Sequence, residues 1–109
     1  MNNNRLELLL QFYEEDPSDP FNAYALAMEY QNSDVHKATA YFKLLLDKQP
    51  DYLPTYYQAA TLFAEIGNVT YADELYRKGM QLALHQQNTK TYQELQRAYQ
   101  VFQDENEDW

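Results

Sequence analysis

Two stretches of this chain repeat one another at a fixed interval, and that interval limits the folds available to it. The first copy runs Phe21-Asn22-Ala23-Tyr24-Ala25-Leu26-Ala27-Met28-Glu29-Tyr30, then Ala38-Thr39-Ala40-Tyr41-Phe42-Lys43-Leu44-Leu45 and Pro50. The second runs Pro54-Thr55-Tyr56-Tyr57-Gln58-Ala59-Ala60-Thr61-Leu62-Phe63, then Gly67 and Ala72-Asp73-Glu74-Leu75-Tyr76-Arg77-Lys78-Gly79. Ala38 to Ala72 and Phe42 to Tyr76 are both 34 residues apart, and Tyr30 to Phe63 is 33. A period in this range signals a stack of similar supersecondary units, each too small to cover its own apolar face.

No stretch alternates as a strand does, so the fold class expected is all-α, with about six helices packed antiparallel. The first helix is expected from about Asn4 to Glu15, with Asn4 as cap, Glu7 at the capping-box position and Pro17 beyond its end. The second runs from about Pro20 to Gln31, and the third from an Asp34 cap to Lys48. Pro54 opens a fourth that stops at Gly67, whose tolerance of left-handed backbone suits a helix end. Thr70, with Asp73 three residues on, is expected to cap the fifth, which reaches about His85. The last spans about Lys90 to Gln103.

Packing accounts for the repeated residue types. Ala27, Ala38, Ala60 and Ala72 are small where helices cross closely, with Leu45 and Gly79 at the next contact along. Leu26, Tyr30, Ala59 and Phe63 share helix faces at four-residue spacing, and Phe42 and Tyr76 project toward them. All are expected in the core. Leu9, Phe12 and Pro17 keep the spacing of Phe42, Leu45 and Pro50, and Tyr92, Leu95 and Tyr99 keep that of Ala23, Leu26 and Tyr30. The terminal helices thus read as half-repeats that complete the stack. One domain is expected over residues 1–103: a capping helix at 4–15, repeats at 20–50 and 54–86, and a second capping helix at 90–103. Leu84 stands where a terminal proline would break the fifth helix, so that helix is free to run on.

These positions resemble the tetratricopeptide repeat. The resemblance implies an α-α superhelix whose first helices line a concave groove, and a function in binding a peptide or helix of a partner protein. Carried onto matching positions, it makes Tyr24, Met28 and Gln31 one binding stripe, Tyr57, Thr61 and Ala64 the next, and Gln93, Arg97 and Gln100 the last, with Phe21 at the groove mouth. Tyrosine offers wide contact area with few rotors, and methionine adapts to irregular apolar shapes. A subset of the family grips a C-terminal carboxylate with lysine, arginine and asparagine. This chain carries Tyr24, Met28, Tyr57 and Gln58 there, with Arg97 the single cation, so that clamp is not expected.

Charge narrows the partners. Seventeen Asp and Glu against eight Lys and Arg leave a net charge of -9, a field that repels nucleic-acid phosphates and anionic membranes. No nucleic-acid or membrane role is expected, and basic partners are favoured by faster encounter. There is no cysteine, so disulfides, thiolate metal sites and cysteine nucleophiles are excluded. Leu6-Glu7-Leu8-Leu9-Leu10 is too short for a secretory signal or a membrane span, and a cytoplasmic location is expected. His36 and His85 belong to no metal motif, and two glycines cannot build a phosphate loop. The chain is accordingly expected to need no cofactor or metal and not to be an enzyme. It reads as an adaptor or scaffold. The rival reading is a homodimer stacked end to end, its groove filled by its own tail. Asp104-Glu105-Asn106-Glu107-Asp108-Trp109 forms that tail, acidic, expected to be mobile, and ending in the single tryptophan as an aromatic anchor.

Overall fold

A computed structural model describes residues 3–107; Trp109 and its role as an anchor lie outside them. Six helices make up the described chain, with no strand among them: α1 (Asn3–Glu15), α2 (Pro20–Tyr30), α3 (Val35–Lys48), α4 (Pro54–Glu65), α5 (Val69–His85) and α6 (Thr89–Glu105). The all-α expectation holds. Two compact units divide the chain, Met1–Thr55 and Tyr56–Trp109.

In the first unit α2 packs against both α1 and α3. Asp19 caps α2 by accepting a hydrogen bond from Phe21 N at 3.0 Å, and Pro20 follows at the position where a missing N–H costs nothing. Asp34 caps α3 as expected, accepting from Lys37 N at 3.2 Å. Ala23, Leu26, Ala27 and Tyr30 on α2 are buried, as are Ala38, Phe42 and Leu45 on α3. Tyr41 lies between two rings, edge-on to Tyr13 at 5.6 Å and stacked on Tyr30 at 6.0 Å. Burial, followed by the neighbouring Tyr30 and Tyr13, pushes its phenol above the ordinary value. Polar ties close the unit: Asn22 Nδ2 donates to Phe12 O and Asp16 O, Gln49 Nε2 donates to Ser18 O at 2.6 Å, and Arg5 pairs with Glu29 at 3.0 Å. Phe12 holds the register of Leu45 but not its burial, being 43% exposed against 1%.

The second unit holds α4 from Tyr56 onward, α5 and α6. Ala59, Ala60, Phe63, Ala72, Leu75, Tyr76, Leu95 and Phe102 are buried there. Phe63 meets Tyr71 edge-on at 4.7 Å, and Tyr76 packs on Phe102 at 5.3 Å and Tyr99 at 5.8 Å.

Its two turns share one design. After α4, Gly67 takes a φ of 93° and Asn68 N donates back to Phe63 O at 2.8 Å; after α5, Gln87 takes a φ of 59° and Asn88 N donates to Ala83 O at 2.8 Å. Both are left-handed helix ends of the Schellman type. Each asparagine then caps the next helix, Asn68 Oδ1 accepting from Tyr71 N and Asn88 Oδ1 from Thr91 N. This corrects the expected Thr70 cap: α5 starts at Val69, leaving Thr70 already inside the helix. It also explains why α5 stops at His85 without a proline, since Gln87 supplies the left-handed residue. α6 starts one residue before the expected Lys90 and continues two past Gln103, so Asp104 and Glu105 are helical.

Candidate functional site

A cleft of about 530 Å³ opens between α4 and α6 in the second unit, with Tyr76 of α5 among its lining residues. Helical spacing assigns its walls. Tyr57, Thr61, Ala64 and Glu65 lie on one face of α4, while Ala98, Val101, Phe102 and Glu105 lie on one face of α6. Tyr57 and Val101 are 39% and 56% exposed, so apolar surface remains open to a partner. Phe102 is buried.

Two of the three hydroxyls in the cleft, those of Thr61 and Tyr76, are committed. Thr61 Oγ1 donates its single proton to Tyr57 O at 2.9 Å, so across the 3.3 Å contact the Tyr76 phenol is the donor and Thr61 the acceptor. Burial is the main influence raising the Tyr76 pKa, and Tyr57, Glu105 and Glu65 push the same way. Thr61 opposes them, because its hydroxyl can turn toward the phenolate when Tyr76 ionises. Asn106 at the cleft edge directs Nδ2 to Phe102 O at 2.8 Å.

Among the described residues, Glu65 and Glu105 are the charged ones lining this cleft, and no Lys, Arg or His joins them. Neither carboxylate makes an ion pair among the described residues, unlike Asp73 with Arg77 and Glu74 with Lys78, both at 2.9 Å. A smaller cleft of about 380 Å³ adjoins the first through Phe102 and Asn106, and Val69, Asp73 and Glu107 also line it. Tyr99 Oη donates to Asp73 Oδ1 at 2.7 Å, so both Asp73 oxygens are occupied.

Of the residues singled out in the sequence, Tyr57 and Thr61 meet in the cleft, with Ala64 beside them. Gln93 and Arg97 are exposed on α6 but do not line it. The wall that α6 contributes lies one step around the helix, at Ala98, Val101, Phe102 and Glu105. Their spacing of three and four residues marks this wall in the sequence, whereas the repeat register of α4 points instead to Gln93, Arg97 and Gln100. Phe21, Tyr24, Met28 and Gln31 lie on or next to α2 in the first unit. Phe21 is 57% exposed, and Met28 and Gln31 are half-buried. Tyr24 meets Tyr52 edge-on at 5.8 Å, and burial first, then Tyr52, raises its phenol pKa.

Among the described residues no group of three His, Cys, Asp or Glu could hold a metal ion, and no helix is long and apolar enough to cross a membrane. The arrangement offers an apolar recess with an aromatic lip, suited to receiving a side chain.

Six helices joined by short turns, with a repeated pattern of small and large buried residues, define an all-α helical-repeat protein. No family model and no curated protein matches the chain. Solved structures do. A solution NMR structure of a tetratricopeptide repeat domain protein from Salinibacter ruber is 33% identical, covering 82% of this chain and 91% of its own, with a TM-score of 0.76. A crystal structure of a tetratricopeptide repeat domain protein from the same organism is 32% identical, covering 78% and 97%, with a TM-score of 0.73. The chain belongs to the tetratricopeptide repeat family, and its fold is a protein-interaction repeat fold.

Proposed function

We propose that this chain is an adaptor that binds a peptide or helix of another protein, seating an apolar side chain in the cleft between α4 and α6. The carrying observation is the cleft itself: about 530 Å³, walled by Ala64, Ala98 and Val101, with the Tyr57 ring partly exposed beside it. Small recesses flanked by aromatic side chains are where protein interfaces concentrate their binding energy. Phe21, Tyr24, Met28 and Gln31 in the first unit, and Gln93 and Arg97 on α6, are proposed as further contact residues. A non-catalytic role is part of this reading.

The test is capture from native lysate by wild type beside a Tyr57→Ala/Ala98→Glu variant whose helicity is checked by circular dichroism. A protein retained by wild type and lost by the folded variant is the expected result. Unchanged capture removes the cleft from the interface.

A second reading, self-association, draws on α1, where Leu8 and Phe12 are 48% and 43% exposed and lie four residues apart on one face. It requires a concentration-dependent rise in sedimentation coefficient that Leu8→Glu/Phe12→Glu abolishes.

A further inference from the structure

We infer that the α4–α6 cleft selects a partner segment carrying lysine or arginine beside the apolar side chain it inserts. The inference rests on the cleft being the binding site, as proposed above, and adds the chemistry of the occupant.

Charge complementarity carries the argument. Glu65 on α4 and Glu105 on α6 line the cleft from both sides, and each lacks an ion-pair partner among the described residues. Two cations next to an inserted apolar side chain would meet unpaired carboxylates on both walls. The protein's net charge of -9 would also speed the approach of such a segment.

The polar groups of the cleft oppose the converse choice. The Thr61 proton goes to Tyr57 O, the Tyr76 proton to Thr61, and Asn106 Nδ2 is turned onto Phe102 O. An acidic segment would meet two like charges without a cation, and of the three hydroxyls lining the cleft the Tyr57 phenol alone would be left to donate to it. The same reasoning disfavours the chain's own end as occupant. Trp109 follows Glu107 and Asp108 in sequence, so bringing it into the cleft would press those two carboxylates against Glu65 and Glu105.

The test selects random dodecapeptides displayed on phage against the immobilised full chain, with the same selection on Glu65→Gln/Glu105→Gln and on Tyr57→Ala. Helicity of each variant is verified first. The expected outcome is enrichment of Lys or Arg within four residues of an aromatic or aliphatic side chain on wild type. That enrichment should fade on the double glutamine variant. An enriched peptide made synthetically should bind the variant roughly 2- to 30-fold more weakly, as two exposed ion pairs predict, and with a shallower salt dependence.

Other outcomes overturn specific steps. Apolar peptides with neutral or acidic flanks that bind wild type and the double glutamine variant alike would overturn the charge selection while leaving the cleft as the site. Enriched peptides that all bind Tyr57→Ala undiminished would overturn the cleft itself. If deleting Glu107, Asp108 and Trp109 raises the affinity of every peptide tenfold or more, regardless of charge, the tail is the occupant and the inference fails.

Discussion

A Cβ placed on Gly79 would stand 2.7 Å from the Cβ of Tyr56, and 3.2 Å from Leu95 Cδ1. Real Cβ atoms do not approach so closely, and neither can rotate away, since each is fixed to its backbone. Here α5 passes α4 at a distance that hydrogen alone allows, which is why the repeat's second copy holds glycine at the position 34 residues after Leu45 of the first.

Gly79→Ala therefore sets two effects against each other. Alanine in a helix interior gains up to about 1 kcal/mol over glycine in propensity, whereas overpacking a filled crossing costs about 1–3 kcal/mol. Overpacking should win, because α5 can relieve the 2.7 Å clash only by moving away from buried Tyr56, while buried Leu95 must also give way. Thermal unfolding should show Tm lowered by several degrees. A raised Tm would mean that the crossing relaxes freely.

The turn after α4 separates two candidate caps. Asn68 accepts from Tyr71 N, while Thr70 lies inside the first turn of α5 and is exposed. Asn68→Ala should cost about 1 kcal/mol through the lost cap, and Thr70→Ala should be near neutral. Chemical denaturation of the two variants side by side checks the order. Reversed costs would restore Thr70 as the cap.

That contrast marks how far the sequence could be read. Ala27, Ala38, Ala60 and Ala72 could be placed from the period alone and are all fully buried, because a close helix crossing tolerates little else. Asp34 was legible as a cap since a clear turn precedes it. Asn68 was not, because the residue that closes one helix also opens the next, and the Thr70-to-Asp73 spacing imitated a cap. For the site, Tyr57 and Thr61 were legible from the repeat register. The facing wall at Ala98, Val101 and Phe102 was not, since the flank that α6 turns toward α4 depends on packing and not on register.

Gln87 has a φ of 59° where Gly67 has 93° in the equivalent turn. A side chain in left-handed backbone costs about 1–2 kcal/mol that glycine avoids, partly offset by the freedom glycine adds to the unfolded chain. Gln87→Gly should raise stability by up to about 1 kcal/mol, and Gly67→Ala should lower it by a similar amount. Urea midpoints of the pair measure both signs. If neither midpoint moves, these two turns do not limit stability.

The tyrosines tie stability to alkaline pH. Tyr24, Tyr41, Tyr52, Tyr71, Tyr76 and Tyr99 all have phenol pKa values raised above 10.0, burial being the first cause for each. For Tyr99 the hydrogen bond it donates to Asp73 adds to the shift, because ionisation would set a phenolate against that carboxylate. The folded state thus holds these protons more tightly than the unfolded state. The resulting stabilisation is fully present below the unfolded value near 10 and is lost as pH rises through the folded values. Denaturant midpoints should accordingly be insensitive to tyrosine ionisation up to about pH 9 and fall above pH 10. Ultraviolet titration of the native protein should show phenolate absorbance developing later than in denaturant. Tyr99→Phe should remove one late-titrating group and, by leaving Asp73 without that donor, cost about 1 kcal/mol at neutral pH. Phenolate absorbance that rises identically in the native and denatured protein would refute the protection that burial gives these rings.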